Sequence, residues 1–322
     1  MGFFKKLFSG KEPSEEERES KRDANNFDVL KFNGIQAYQT GRLAHAIAYL
    51  THALDIKEDE EAHVALVNAY IRNNDIEQAV EEVKELCELY PAQVNHPLSL
   101  AHLLYQLERY DEMDEACEHA ISLDANHPTP YYLLAEKHLA TDDLASAESN
   151  ATRAVELRGD SNEPYLLRAR IYKEEGKYAD ALADIDQLLT AGDVSDDVQL
   201  LRGELLELTN KTEEALSSYK EVIAENPFNH EGYVRIASLQ IQSGDYVGAE
   251  ETISDAIEQN GEYAQIIQLR SDMKRGLGDA EGADADAELA ANLLAEEEVA
   301  QHKEGNIEQE IQDRYNSINP FQ

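Results

Sequence analysis

The sequence predicts an all-α chain built as an array of about eight helix-turn-helix repeats. Three observations predict it. Residue types recur every 34 positions from Phe27 onward, small residues hold two fixed places in that period, and Gly or Asn marks a third. A period of this length is the signature of stacked repeats rather than of separate globular domains. Among the 322 residues, 66 Asp and Glu face 28 Lys and Arg, a formal net charge of −38. So acidic a surface repels phosphate backbones and excludes sequence-independent nucleic-acid binding. No apolar run approaches the roughly 18 residues of a membrane-spanning helix. Two Cys cannot form a disulfide framework. High net charge is also a mark of disorder, and the regular order of the residues decides against it.

Residues 1–26 form a charged leader. Its first eleven residues, MGFFKKLFSGK, carry three lysines and no acid, and the whole leader nets to zero. Lys5 and Lys6 break the apolar stretch that a secretion signal needs. On a helix, Phe3, Phe4, Leu7 and Phe8 fall in one arc with Lys5 and Lys6 outside it. Those six residues have the form of a short interfacial anchor for an anionic bilayer. The competing expectation is a flexible leader, because eight residues do not hold a helix alone.

The repeats occupy 27–59, 60–93, 94–127, 128–161, 162–195, 196–229, 230–263 and 264–297. Their eighth position reads Gly34, Val67, Ala101, Ala135, Ala169, Gly203, Ala237, Ser271, and their twentieth is alanine except for Met113. Two helices joined by a tight turn approach closely only where small side chains cross. Between these columns, the fifteenth position reads Gly41, Asn74, Glu108, Asp142, Gly176, Asn210, Gly244, Gly278. Gly and Asn accept the left-handed conformation that ends a helix; Glu108 and Asp142 suit it less well. A single hairpin cannot cover its own apolar face, so neighbouring repeats must stack.

With these columns in hand, residues 27–297 resemble the tetratricopeptide repeat (TPR) family. That family prefers an aromatic residue at position four, matched by Tyr131, Tyr165 and Tyr233, and Pro at thirty-two, matched by Pro91 and Pro227. His63, Pro97 and Gln199 depart at position four. The resemblance implies a right-handed α-α superhelical solenoid whose first helices line a groove for a peptide or partner protein. In the family, positions two, five, nine, twelve and thirteen face that groove. Position five is apolar from Val64 to Val234, and position twelve adds Tyr38, Ile71, Tyr105 and Leu139 before turning to Lys173 and Glu207. The candidate groove residues are therefore Val64, Ile71, Leu98, Tyr105, Tyr132 and Leu139. Packing of position five against neighbouring helices is the alternative. TPR co-chaperones clamp a C-terminal carboxylate with Lys and Asn; here Lys31 stands at the first such place, but Ile35, Ala65, Asn95 and Ser99 fill the others.

Residues 298–322 read as a polar capping helix and tail, with Val299, Ile307, Ile311 and Tyr315 roughly on one face. No metal motif, phosphate loop or nucleophile elbow occurs in the chain. His45 and His52 lie two turns apart, about 10 Å, too far to share an ion. The sequence therefore carries no catalytic residue, metal or cofactor. Its expected role is a non-enzymatic scaffold or adaptor for an unidentified protein or peptide. The alternative is an assembly factor recruited to the membrane by residues 1–11. The expected location is the cytoplasm, including the inner face of the membrane, and the sequence leaves the oligomeric state open.

Overall fold

A computed structural model describes residues 15–157, 161–297 and 299. Among them are sixteen helices and no strand. The helices form pairs: α1 (Glu15–Gln39) with α2 (Leu43–Leu54), α3 (Glu60–Arg72) with α4 (Ile76–Leu89), α5 (Asn95–Gln106) with α6 (Tyr110–Leu123), and α7 (Pro128–Ala140) with α8 (Leu144–Leu157). The pairing continues with α9 (Glu163–Glu174) and α10 (Tyr178–Thr190), α11 (Asp196–Leu208) and α12 (Thr212–Glu225), α13 (His230–Ser243) and α14 (Tyr246–Asn260), then α15 (Ala264–Gly276) and α16, residues 280–297. Each pair is one predicted repeat. Helix α1 starts ahead of the repeat boundary at Phe27; residues 1–14 and 300–322 lie outside the described residues.

The chain divides into two compact units, Met1–Leu167 and Arg168–Gln322. In the first, α1 to α8 pack each on the next, and the first helices also meet, α1 on α3 and α5 on α7. Its largest core gathers Val67, Val80, Val83, Leu86, Leu104, Met113, Cys117 and Leu133. Met113, the exception in the alanine column, is fully buried there. In the second unit α13 meets α15, and Tyr233, Ile253, Tyr263, Ile266, Ile267 and Met273 form a core.

The fifteenth position turns every hairpin the same way. All eight residues have positive φ, from 55° at Glu108 to 84° at Gly278. At each turn the N–H of that residue donates to the carbonyl of position twelve, and the next N–H donates to the carbonyl of position eleven. This double bond pattern satisfies carbonyls that the helix end would leave orphaned. Glu108 and Asp142 adopt it despite their Cβ, a strain on the order of 1–2 kcal/mol each.

Close approach is equally uniform. A Cβ on Gly34 would lie 2.6 Å from Leu50 Cγ, and one on Gly203 would lie 2.2 Å from the Tyr219 ring. Position eight thus faces position twenty-four as well as position twenty. The latter contact is direct in the last repeat, where Ser271 Oγ donates to the Ala283 carbonyl at 2.7 Å.

The second unit adds a polar staple between positions seven and twenty-three. Arg168 holds both oxygens of Asp184 at 2.8 and 2.7 Å, Arg202 bonds Ser218 at 2.9 Å, and Arg270 holds Asp286 at 3.0 and 2.9 Å. Lys274 adds a third bond to Asp286 at 2.7 Å. In the first unit position seven is instead Asn33, Leu66, Leu100 and Leu134.

Two substitutions test this account by urea denaturation. Glu108→Gly relieves the left-handed strain and should stabilise the protein by about 1 kcal/mol. Gly203→Ala drives a methyl group into the Tyr219 ring and should destabilise it by about 2 kcal/mol. Tyr219→Leu should recover part of that loss.

Candidate functional site

The candidate groove residues sit on the first helices of the first unit. Val64 and Ile71 of α3 are 39% and 38% exposed, large apolar side chains left facing solvent. Leu98 of α5 is 8% exposed, so packing takes most of its surface. Tyr105, Tyr132 and Leu139 are half-buried. Tyr105 and Tyr132 pack against the main core of the unit, and the Tyr105 ring also lies 6.2 Å from Tyr110. The Tyr132 hydroxyl donates to Glu136 Oε1 at 3.1 Å. Burial, and then the charge of Glu136, raises the pKa of Tyr105.

Position-by-position reading of apolar residues missed the polar part of the same face. Positions nine, twelve and thirteen of the first three repeats are Ile35, Tyr38, Gln39, Asn68, Ile71, Arg72, His102, Tyr105 and Gln106. None is a carboxylate, in a chain where one residue in five is acidic. Gln39, Asn68, Arg72, His102 and Gln106 are exposed. Arg72 stacks over the Tyr38 ring, 5.6 Å from its centroid, and donates to the Tyr38 carbonyl at 3.3 Å. Lys31, at position five of the first repeat, is held by Asp59 and Glu61 at 2.5 and 2.6 Å.

The same face in the second unit is a lattice of ion pairs. Lys173 reaches Glu204 at 2.9 Å, Arg235 reaches Glu204 at 2.6 Å and Glu231 at 2.8 Å, and Arg170 reaches Asp197 at 3.2 Å. The buried Tyr219 hydroxyl donates to Glu207. Cations and acids here satisfy one another between neighbouring first helices.

A second cluster surrounds His63, the polar residue at position four of the second repeat. The ring is 2% exposed. Its Nδ1 lies 2.5 Å from Glu82 Oε1 on α4, and its Nε2 lies 2.7 Å from Glu58 Oε2 in the loop before α3. Glu85, one turn beyond Glu82, completes a group whose ligand atoms all lie within 4.8 Å of one another. Among the described residues this is the set with the chemistry to hold a metal ion. Spacing along one helix does not reveal it, because the imidazole and the carboxylates come from different helices. Gln199 follows the same rule in the sixth repeat: it is buried at position four and donates to Glu221 on α12 at 2.7 Å.

Models of the tetratricopeptide repeat family match residues 60–93, 98–127, 166–230 and 208–273, together just over half of the chain. Human Tetratricopeptide repeat protein 7B is 30% identical over 126 residues, which is 38% of this chain and 14% of that protein. The chain thus spans a small part of the length of that relative. The crystal structure of a tetratricopeptide repeat protein from Parabacteroides merdae aligns with a TM-score of 0.56 at 18% identity, covering 73% of this chain and 93% of the other. Yeast Tom70 aligns with a TM-score of 0.51 at 22% identity, covering 85% and 61%. At these identities the likeness to the solved structures is one of fold.

The environment of His63 has a consequence for stability. Burial disfavours the charged ring, but hydrogen bonds to Glu82 and Glu58, and their charges, outweigh it and push the pKa up to about 9. A folded pKa above the ordinary value of 6.5 means the ion pairs stabilise the fold fully below pH 6.5. That contribution is lost as the pH rises through about 9. In urea denaturation with a chelator present, the wild type should lose on the order of 1–3 kcal/mol over this range. His63→Phe, which restores an aromatic residue at position four, should remove that part of the pH dependence.

Proposed function

Because this chain belongs to the tetratricopeptide repeat family, we propose that it is a protein-interaction scaffold holding an extended or helical partner segment along the first helices of its first unit. The observation that carries this reading is the composition of that face. Positions nine, twelve and thirteen of the first three repeats carry no carboxylate in a protein of net charge −38, though Asp28 and Glu61 stand at position two, and Val64 and Ile71 stay exposed on the same helix. A surface selected only for solubility has no reason to spare one strip from the acids that coat the rest. A partner segment laid there buries the residual apolar surface of Val64 and Ile71, about 1 kcal/mol each. Asn68, His102 and Gln106 offer side-chain donors and acceptors to its polar groups. Arg72 presents a positive charge already oriented by the Tyr38 ring.

The acidic remainder of the surface favours a partner with basic flanks and speeds its approach. The corresponding face of the second unit is less suited to the task, because its charges are committed to each other and freeing one leaves a carboxylate unpaired.

Val64→Asp with Ile71→Asp tests the reading at the two candidate groove residues most open to solvent. Affinity purification of the tagged chain, read by mass spectrometry, should identify specific partners for the wild type. The double variant should lose them by tenfold or more while circular dichroism shows it still folded. If it retains the same partners at wild-type yield, the segment does not lie on this face. Tyr105 and Tyr132 are poorer probes, since Ala at either opens the core they pack against.

A further inference from the structure

The His63 cluster asks more of its imidazole than a neutral ring can supply. A neutral imidazole carries one N–H, so it can donate at only one of its two nitrogens. Here both nitrogens face carboxylate oxygens, Nδ1 toward Glu82 at 2.5 Å and Nε2 toward Glu58 at 2.7 Å. One of those gaps must therefore hold an additional positive charge, either a second proton or a metal ion.

The two gaps are not equivalent. On the Glu82 side the carboxylate of Glu85 stands within 4.8 Å of both His63 and Glu82, one helical turn along α4. No ion pair to Glu85 occurs among the described residues, whereas the nearby cations are engaged elsewhere. Lys84 pairs with Glu81 and Glu112, and Arg109 pairs with Glu77 and Glu112. A proton shared between His63 and Glu82 has no use for that third carboxylate. A cleft of about 460 Å³, lined by Tyr70, Glu77, Gln78, Glu81, Glu82 and Glu85, reaches the two carboxylates of the cluster and gives an ion and its water ligands a route to them.

We propose that His63 Nδ1, Glu82 and Glu85 form a binding site for a divalent metal ion of the zinc class, with a water from the cleft as fourth ligand. One nitrogen and two carboxylates suit zinc, which takes such donors at about 2.0–2.2 Å in tetrahedral geometry. Ligand atoms around such an ion stand about 3.3 Å apart. The three ligand atoms already lie within 4.8 Å of one another, and the His63–Glu82 contact at 2.5 Å must open to admit the ion. Glu58 keeps the Nε2 proton and orients the ring, the part a carboxylate plays behind a metal-bound histidine. The ion would tie α3 to α4 within the second repeat, the repeat whose first helix carries Val64, Asn68 and Ile71.

Titration calorimetry of zinc chloride into the full, chelator-stripped chain at neutral pH tests the site. The wild type should bind one zinc per chain at micromolar affinity or tighter, and bound zinc should raise its melting temperature. Glu85→Gln leaves the His63–Glu82 pair and the core intact, yet should weaken binding at least tenfold and abolish the thermal shift. His63→Phe should do the same. The proposal is overturned if the wild type takes up no stoichiometric zinc, or if Glu85→Gln binds it as well as the wild type. It also fails if calcium competes equally and His63→Phe retains both ions, for the site is then an acidic surface without a role for the imidazole.

Discussion

The two helices of a repeat cross at position eight, in the first and sixth repeats so closely that one added carbon has nowhere to go, and the rest of the structure depends on that crossing. It is plainest where glycine holds position eight, Gly34 against Leu50 and Gly203 against Tyr219, both at position twenty-four. Where the eighth residue is Ser271, the twenty-fourth is an alanine and the hydroxyl is spent on the Ala283 carbonyl. A hairpin fixed in this way has a rigid back, on which its first helix can present side chains at defined places.

This dependence explains what was legible in the sequence and what was not. Columns eight, fifteen and twenty each report a constraint that one residue satisfies alone: room at a crossing, or a left-handed turn. They stand out in a single chain because each repeat must solve the same problem. Even Glu108 and Asp142 conform, because two backbone hydrogen bonds and the packing of both helices outweigh the strain of one turn residue. Leu98 was not legible, because its burial is decided by neighbouring helices rather than by its place in the repeat. The strip of Asn68, Arg72, His102 and Gln106 escaped a search for apolar residues; the absence of acids is the signal that marks it.

Charge is arranged by the same geometry. The acids that dominate the composition occupy surface positions that packing does not use. Where a charged side chain does enter a hairpin, it comes with its partner at a fixed place. Asp184 and Asp286 lie deep in the second unit, and each is gripped by an arginine sixteen residues earlier. Burial alone would raise the pKa of Asp286, but hydrogen bonds from Arg270 and Lys274 hold it below the ordinary range, so this carboxylate stays ionised. The second to fourth repeats of the first unit place leucines at the corresponding seventh position, so these hairpins lack the ion pair. The two units thus share a backbone design while differing in which faces are saturated with ion pairs and which are left open.

The fourth position shows how far compensation extends. Family members favour an aromatic ring there, and a polar side chain in its place has to be satisfied across the hairpin or the helices part. His63 finds Glu82, and Gln199 finds Glu221, each on the second helix of the same repeat. The two acids stand at different places in their repeats, positions twenty-three and twenty-six, so each pair has to be read together. The half-buried tyrosines obey a related logic on the other side of the first helix. Tyr105 and Tyr132 give part of each ring to the core and keep part for solvent, so their contribution to a partner cannot be separated from their contribution to the fold. Val64 and Ile71 leave more of their surface in solvent, 39% and 38%. Their exposed surface has no structural task in the isolated chain, and its cost is recovered only when something covers it.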